Sequence, residues 1–501
     1  MTPQQSYKRL TEILAEIQDL KRAGNVLAWD QFTHMPPQGS AMRGRQLATL
    51  GKIAHDMFTS KEVEDLLGAV QAFEKSLDHT SDDACLLANV RRDYEKATKL
   101  PSHFVSTLMT HQSQCYDVWV QARAENSFTK VAPYLAKTLE LSQQYAQYFK
   151  YNHIADPLIA TSDEGFTTQT LRGLFGDLKK QLVPLLQEVV AKQKADDSLL
   201  KQSFPLAAQE QFSKDLVAAV GYDFTRGRLD TTHHPFMISF AHGDVRITTR
   251  YQEHNLSESI FSALHEMGHA FYEMGIAKEL DGTLLFDGAS SGVHESQSRL
   301  WENIVGRSMN FWTFFYPKLV AAFPTQLSGV SLSSFHSAIN KVAPSLIRTD
   351  ACELSYNLHV MIRFELEIQM LEGYLDIKDL PEAWNAAYEK DLGMRPPSDA
   401  MGCMQDVHWY GGLIGGQFQG YTLGNIMAAQ FYEAALKDLP HLPDDFKQGQ
   451  FKNLKQWLGS HLHRHGRKFL GLDVLKKATG HTLDIHPYLN YLTGKFLYIL
   501  E

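Results

Sequence analysis

Apolar residues recur at three- and four-residue intervals along most of this chain. In "YKRLTEILAEIQDLKRAGNVLAWD" and "TLRGLFGDLKKQLVPLLQEVVAKQ" they line one stripe of a 3.6-residue period, as in amphipathic helices packed on a core. Clusters such as "HMPPQG", "GMRPPSD" and "DLPHLPDD" mark turns between helices and are too short to link domains. No repeat and no low-complexity tract interrupts the pattern. The expected fold class is mainly α, a large helical body.

One stretch departs from the helical period. Within "DTTHHPFMISFAHGDVRITTRY" the runs "FMISF" and "VRITTRY" are rich in β-branched and aromatic residues, and "AHGD" between them reads as a hairpin turn. A small β-sheet is expected just before the helix that begins near residue 255. An open edge of that sheet would hold an extended peptide by main-chain hydrogen bonds; a plain covering hairpin fits the same letters.

Composition narrows the classes of function. The 501 residues are 44% hydrophobic and 21% charged, which is ordinary globular usage. With 48 Lys and Arg against 57 Asp and Glu the net charge is −9, and no basic run interrupts it, so nucleic acid is not an expected partner. The opening "MTPQQSYKRLTEILAEIQDL" is polar and amphipathic, with neither the apolar core of a signal peptide nor the length of a membrane span. A cytoplasmic protein with no membrane partner is expected. Cys85, Cys115, Cys352 and Cys403 are too scattered for a C-x-x-C site or a disulfide framework, so a metal would have to be held by His and carboxylate.

Such residues stand in "NLSESIFSALHEMGHAFYEMG". Asn255, with Glu258 three positions on, resembles a capping box, and Gly275 offers a stop. Ile260, Leu264, Met267 and Phe271 form one apolar stripe. His265 and His269, four residues apart, project from one face, where two imidazoles reach the same ion. Glu266 points to the side, the position of a general base acting on water that a metal has acidified. The chemistry that fits best is amide hydrolysis.

H-E-x-x-H alone also arises by coincidence, so a third ligand on a second helix is the deciding feature. After the turn "FDGASSG", the helical pattern "VHESQSRLWENIVGRS" supplies His294, Glu295 and Glu302. Spacing leaves all three open, with Glu295 favoured. Arg299, four residues beyond Glu295, is placed to orient that carboxylate or to form a surface pair.

"HEMGH" followed by "HESQSRLWEN" resembles the carboxypeptidase Taq family of metallocarboxypeptidases. The similarity extends to "HPF" at 234–236, "DVRIT" at 244–248, "IRTDACE" at 347–353 and "GCMQDVHW" at 402–409, and to the early "LAWDQFTHMPP" and late "HLHRHGRKFL" and "ATGHTLDIHPYLNYL". The resemblance implies one peptidase unit over 1–501, with two helical lobes flanking a deep cleft as in neurolysin and angiotensin-converting enzyme, and a homodimer. Its metal site would lie within 255–310. His265, His269 and Glu295 would hold Zn²⁺, or Co²⁺ or another divalent ion, with Glu266 as the catalytic glutamate.

For a carboxypeptidase, a guanidinium suits the free C-terminal carboxylate of a peptide substrate, and Arg348 and Arg246 are the candidates in the matched motifs. His234, Tyr421 and His408 are candidates for stabilising the oxyanion or binding substrate. After "QDVHW" the segment "YGGLIGGQFQGYTLG" is richer in glycine than the family pattern. "HLHRHGR" reads as a helix end, its i, i+2, i+4 spacing scattering the histidines, and Trp29 and Trp301 as core residues. A peptidyl-dipeptidase or oligopeptidase on the same scaffold is the nearest competing function, and a non-catalytic peptide-binding helical scaffold the next.

Overall fold

The first helix, α1 (Pro3–Thr33), begins where Thr2 and Gln5 exchange side-chain-to-backbone hydrogen bonds of 2.8 and 3.2 Å, a capping box that satisfies two otherwise unpaired amides. Its Leu10, Ile13, Leu14 and Ile17 are buried at helical spacing, as the pattern requires. The structure is a computed structural model that describes residues 1–500, with side chains to residue 497. It is mostly helical, with one small sheet.

The predicted hairpin is present. Strands β2 (Met237–Ala241) and β3 (Asp244–Thr249) pair antiparallel, with an irregularity between Ser239 and Ala241. A third strand, β1 (Leu229–Thr231), pairs in parallel with β3, giving the order β1-β3-β2. The edge of β2 is not bare, because α1 lies along it. Asn25 donates to the Ser239 carbonyl at 3.1 Å, and Arg22 donates to the Phe286 carbonyl at 2.9 Å.

Behind the sheet runs α2 (Leu256–Gly275), capped by the Asn255 side chain, which accepts from the Glu258 amide. The reciprocal half of the expected box is missing, since the Glu258 carboxylate turns to Arg250 instead, at 3.7 Å. Gly275, the last helical residue, is glycine for a steric reason. A Cβ there would lie 2.6 Å from the His463 Cβ. The helix then meets α3 (Ser291–Arg299), which continues into a π-helical turn, Leu300–Val305. Two further helices complete the surroundings of the site, α4 (Glu353–Glu372) and α5 (Gln419–Asp438).

Among the described residues, two clusters of buried apolar side chains stand out. The larger holds α2 to α5; the smaller lies under α1 with Val63, Leu66, Leu87 and the segment from Ile276 to Phe286. All four cysteines are free, and three are buried. No described helix is long and apolar enough to cross a membrane. In the glycine-rich segment, Gly416 has φ +73°, and a Cβ there would stand 2.1 Å from the Leu158 carbonyl oxygen, so the extra glycine answers a close backbone approach.

Helix α4 is buried on nearly every side, and its Arg363 and Glu367 go in with it. Glu367 accepts from the Trp409 indole at 2.8 Å, and burial pushes its carboxyl up to about 8. The unfolded value is about 4.3. Stability linked to this group is therefore full below that value and lost as pH rises through about 8. Glu367→Gln keeps the acceptor but cannot ionise, so its melting temperature should gain on the wild type between pH 5 and pH 9. An equal difference at both pH values would refute this.

Candidate metal centre and active site

Helices α2 and α3 approach closely enough to share a site because of Gly268, the fourth letter of "HEMGH". A Cβ there would lie 2.5 Å from the Gln297 carbonyl oxygen. Gly424 of α5 does the same from the other side, its Cβ position lying 2.6 Å from the Glu295 Cβ. The Glu295 helix is thus wedged between two helices by two missing side chains.

One ligand atom from each of His265, His269 and Glu295 lies within 4.8 Å of the others. Both imidazoles turn Nε2 toward Glu295 Oε2, at 3.7 and 3.4 Å. Burial pushes His269 down to about 3, so its ring is neutral, the form that ligates a metal. Burial also raises the Glu295 carboxyl, but Arg299 and His265 outweigh it and hold the group well below the usual range. Two ring nitrogens and one carboxylate oxygen, with solvent on one side, suit a divalent ion that keeps a position open.

Each of the three candidates left open by spacing has its own task. Glu295 turns Oε2 to the histidines, while its Oε1 accepts from Arg299 Nε at 2.7 Å. Arg299 is thus the orienting partner, with its guanidinium carbon 4.3 Å above the Tyr356 ring. Glu302, two helical turns on, backs His265, with Nδ1 and Oε2 at 2.8 Å. Burial works against its charge, yet Arg299 and His265 hold it down to about 2. His294 packs against His269 instead, their Nδ1 atoms 2.6 Å apart. Glu266 is 6% exposed, and burial pushes its carboxyl up to about 7, where it can take up and release a proton near neutrality.

Arg348, Tyr421 and His408 come together. The Arg348 guanidinium lies 5.0 Å from the centre of the Tyr421 ring, whose hydroxyl is 3.2 Å from His408 Nε2. Arg348 gives Nε and Nη2 to Asp406, at 3.1 and 2.9 Å, and Nη1 to the Tyr356 hydroxyl at 2.8 Å. Of its five N–H groups two remain, enough for one carboxylate. Burial pushes His408 down to about 4, with Arg348 adding to the effect, so the ring stays neutral. His234 is exposed, its Nδ1 on the Pro235 carbonyl at 3.2 Å.

Arg246 stands apart from this group. Its fork is closed on Asp244 at 2.8 and 2.7 Å, and it covers Phe240 and Trp29 between sheet and α1. Trp29 and Trp301 are buried, as expected. The histidines of "HLHRHGR" diverge: His463 is buried on Gln297 at 2.8 Å, His461 stacks on Trp457, and His465 packs on Phe469.

Some neighbours were given no role from sequence, although Gln405 and Asp406 stand in the matched "GCMQDVHW". Asp406 also accepts from Arg363 Nε at 2.5 Å, and Gln405 accepts from Arg363 at 2.7 Å. Asp163, fully buried, accepts from the Gly292 amide at 2.7 Å and so anchors the start of α3. A cavity of about 570 Å³, lined by His269, His294, Glu295, Asp287, Arg92 and Arg467 among others, opens beside the candidate metal ligands.

Residues 9–496 match the family model described as carboxypeptidase Taq (M32) metallopeptidase. The chain is 39% identical over 507 residues to thermostable carboxypeptidase 1 of Thermus thermophilus, covering 99% of each. It is 37% identical over 497 residues to carboxypeptidase 1 of Bacillus subtilis, covering 98% of this chain and 99% of the other. The crystal structure of the M32 carboxypeptidase from Deinococcus radiodurans superposes with a TM-score of 0.97 at 44% identity, again over 99% of each chain.

Proposed function

The chain belongs to the carboxypeptidase Taq (M32) metallopeptidase family and is a metallocarboxypeptidase; from that premise we propose a zinc-dependent enzyme that removes single residues from peptides with a free C-terminal carboxylate. The observation that carries the reading is the convergence of His265 Nε2, His269 Nε2 and Glu295 Oε2 beside the buried Glu266.

His265, His269 and Glu295 would hold the ion. When bound, zinc or another divalent ion supplies Lewis acidity, polarising the scissile carbonyl and lowering the pKa of water. Glu266 then takes the proton from the attacking water and passes it to the leaving amine, as its carboxyl near 7 allows. Arg299 and Glu302 keep the carboxylate and His265 aimed. Arg348 offers its two free N–H groups to the terminal carboxylate, and Tyr421, His408 and His234 are the donors for the oxyanion or for the peptide itself. Arg246 contributes to the substrate side only through the sheet it braces. A homodimer in the cytoplasm, as one peptidase unit with its cleft between helical lobes, completes the reading.

A pair of peptides that differ only in a free or amidated C-terminus tests it. Mass spectrometry should find single residues released from the free peptide alone, by protein carrying about one divalent ion per chain. Chelation should abolish release and added Zn²⁺ or Co²⁺ restore it. Dipeptide release or cleavage of the amide would favour a peptidyl-dipeptidase or oligopeptidase, and metal-bound but inert protein would favour a peptide-binding scaffold.

A further inference from the structure

The two histidines of the candidate centre are backed differently. His265 Nδ1 meets a carboxylate directly, Glu302 Oε2 at 2.8 Å. His269 Nδ1 meets another imidazole, His294 Nδ1, at 2.6 Å, and His294 Nε2 lies 3.1 Å from Glu273 Oε1. Glu273 is 4% exposed, and among the described residues His294 is its only side-chain partner.

With His269 ligating through Nε2, one arrangement of protons joins these atoms. Two ring nitrogens at hydrogen-bond distance need one N–H and one lone pair. His269 must keep its Nε2 lone pair for the ion, so Nδ1 carries the hydrogen and donates to His294 Nδ1. His294 then carries its hydrogen on Nε2 and donates to Glu273. His265, His269 and Glu273 recur at four-residue steps on α2, so one helix face supplies both ends of the chain and α3 supplies the link. Tyr272 packs on His294, ring centres 5.1 Å apart, and a Cβ at Gly288 would press on it at 2.6 Å, so the ring is held from two sides.

We propose that Glu273 and His294 are positioning residues that fix the tautomer and orientation of His269 through a carboxylate–imidazole–imidazole chain, in place of the direct carboxylate that backs His265. Without it His269 can carry its hydrogen on Nε2, where it blocks ligation. This rests on the reading of His265, His269 and Glu295 as metal ligands.

The test is Zn²⁺ affinity of the full-length metal-free chain, by competition with a chromophoric chelator, alongside the Co²⁺ absorption spectrum. His294→Phe removes the acceptor and should weaken Zn²⁺ about 10–100-fold. Glu273→Gln, which keeps an acceptor without its charge, should weaken it less but shift the Co²⁺ bands. His294→Gln, whose amide oxygen can still accept from His269, should recover part of the loss. The double variant H294F/E273Q should bind no worse than H294F, because both act through one chain. Additive losses, or an H294F affinity within twofold of wild type at unchanged metal-free melting temperature, would overturn the proposal. If H294F does not fold, unchanged Zn²⁺ affinity and Co²⁺ bands in E273Q overturn it as well. Failure of the underlying ligand reading looks different: the wild type itself then binds no stoichiometric metal.

Discussion

Glu266→Gln is expected to lower kcat for peptide hydrolysis by about 10²–10⁴-fold while one divalent ion stays bound. The side chain is 6% exposed and beside His265, and among the described residues no hydrogen bond reaches its carboxylate. Gln has nearly the same shape, so the helix packing and the three candidate ligands are undisturbed. What is lost is the ability to take a proton from water and return it to the leaving nitrogen. Since substrate contacts remain, KM should move little, placing the loss in the transition state. Steady-state kinetics with metal analysis of the same preparation would measure both. Turnover within tenfold of wild type would sink the role of Glu266.

This site was partly legible in the chain. The i, i+4 histidines and the neighbouring glutamate follow from helical geometry alone, and so does the need for a partner from a second helix. Spacing left His294, Glu295 and Glu302 open for a physical reason. Residues 295 and 302 are two turns apart and share a face, while 294 borders it, so all three reach the same neighbourhood. Their tasks differ by which nitrogen of which histidine they meet, and that depends on how closely α2 and α3 approach. Gly268 sets that approach, yet in the sequence it reads only as a weak helix former. The hairpin was legible from its β-branched runs; β1 was not, because three residues carry no period and their pairing with β3 is a tertiary fact. The same holds for Asp406: it stands in the matched "GCMQDVHW", but that Arg348 and Arg363 meet on its carboxylate is a tertiary fact.

Asp406→Asn should destabilise the fold by about 3–5 kcal/mol and raise KM for peptides together. The side chains of Arg348 and Arg363 are 6% and 0% exposed, and Asp406 is the only carboxylate paired with either among the described residues. Neutralising it leaves two buried guanidinium groups without a counter-charge. The amide keeps one acceptor oxygen where the carboxylate has two, and sets an NH2 donor against the guanidinium donors. Arg348 would then lose the contact that directs its two remaining N–H groups, which is why substrate affinity should fall along with stability. The pH dependence separates this from simple loss of packing. Burial alone would raise the Asp406 carboxyl, but Arg363 and Arg348 hold it far below the ordinary carboxylate range. A depressed native value means the stabilisation is complete above the unfolded pKa of about 3.9 and is lost as pH falls below it. Urea midpoints of wild type and variant should therefore lie well apart at pH 7 and draw together as the pH is lowered below about 4. A gap independent of pH would mean that shape, not charge, is what Asp406 contributes. Unchanged KM at pH 7 would remove Arg348 from the substrate site.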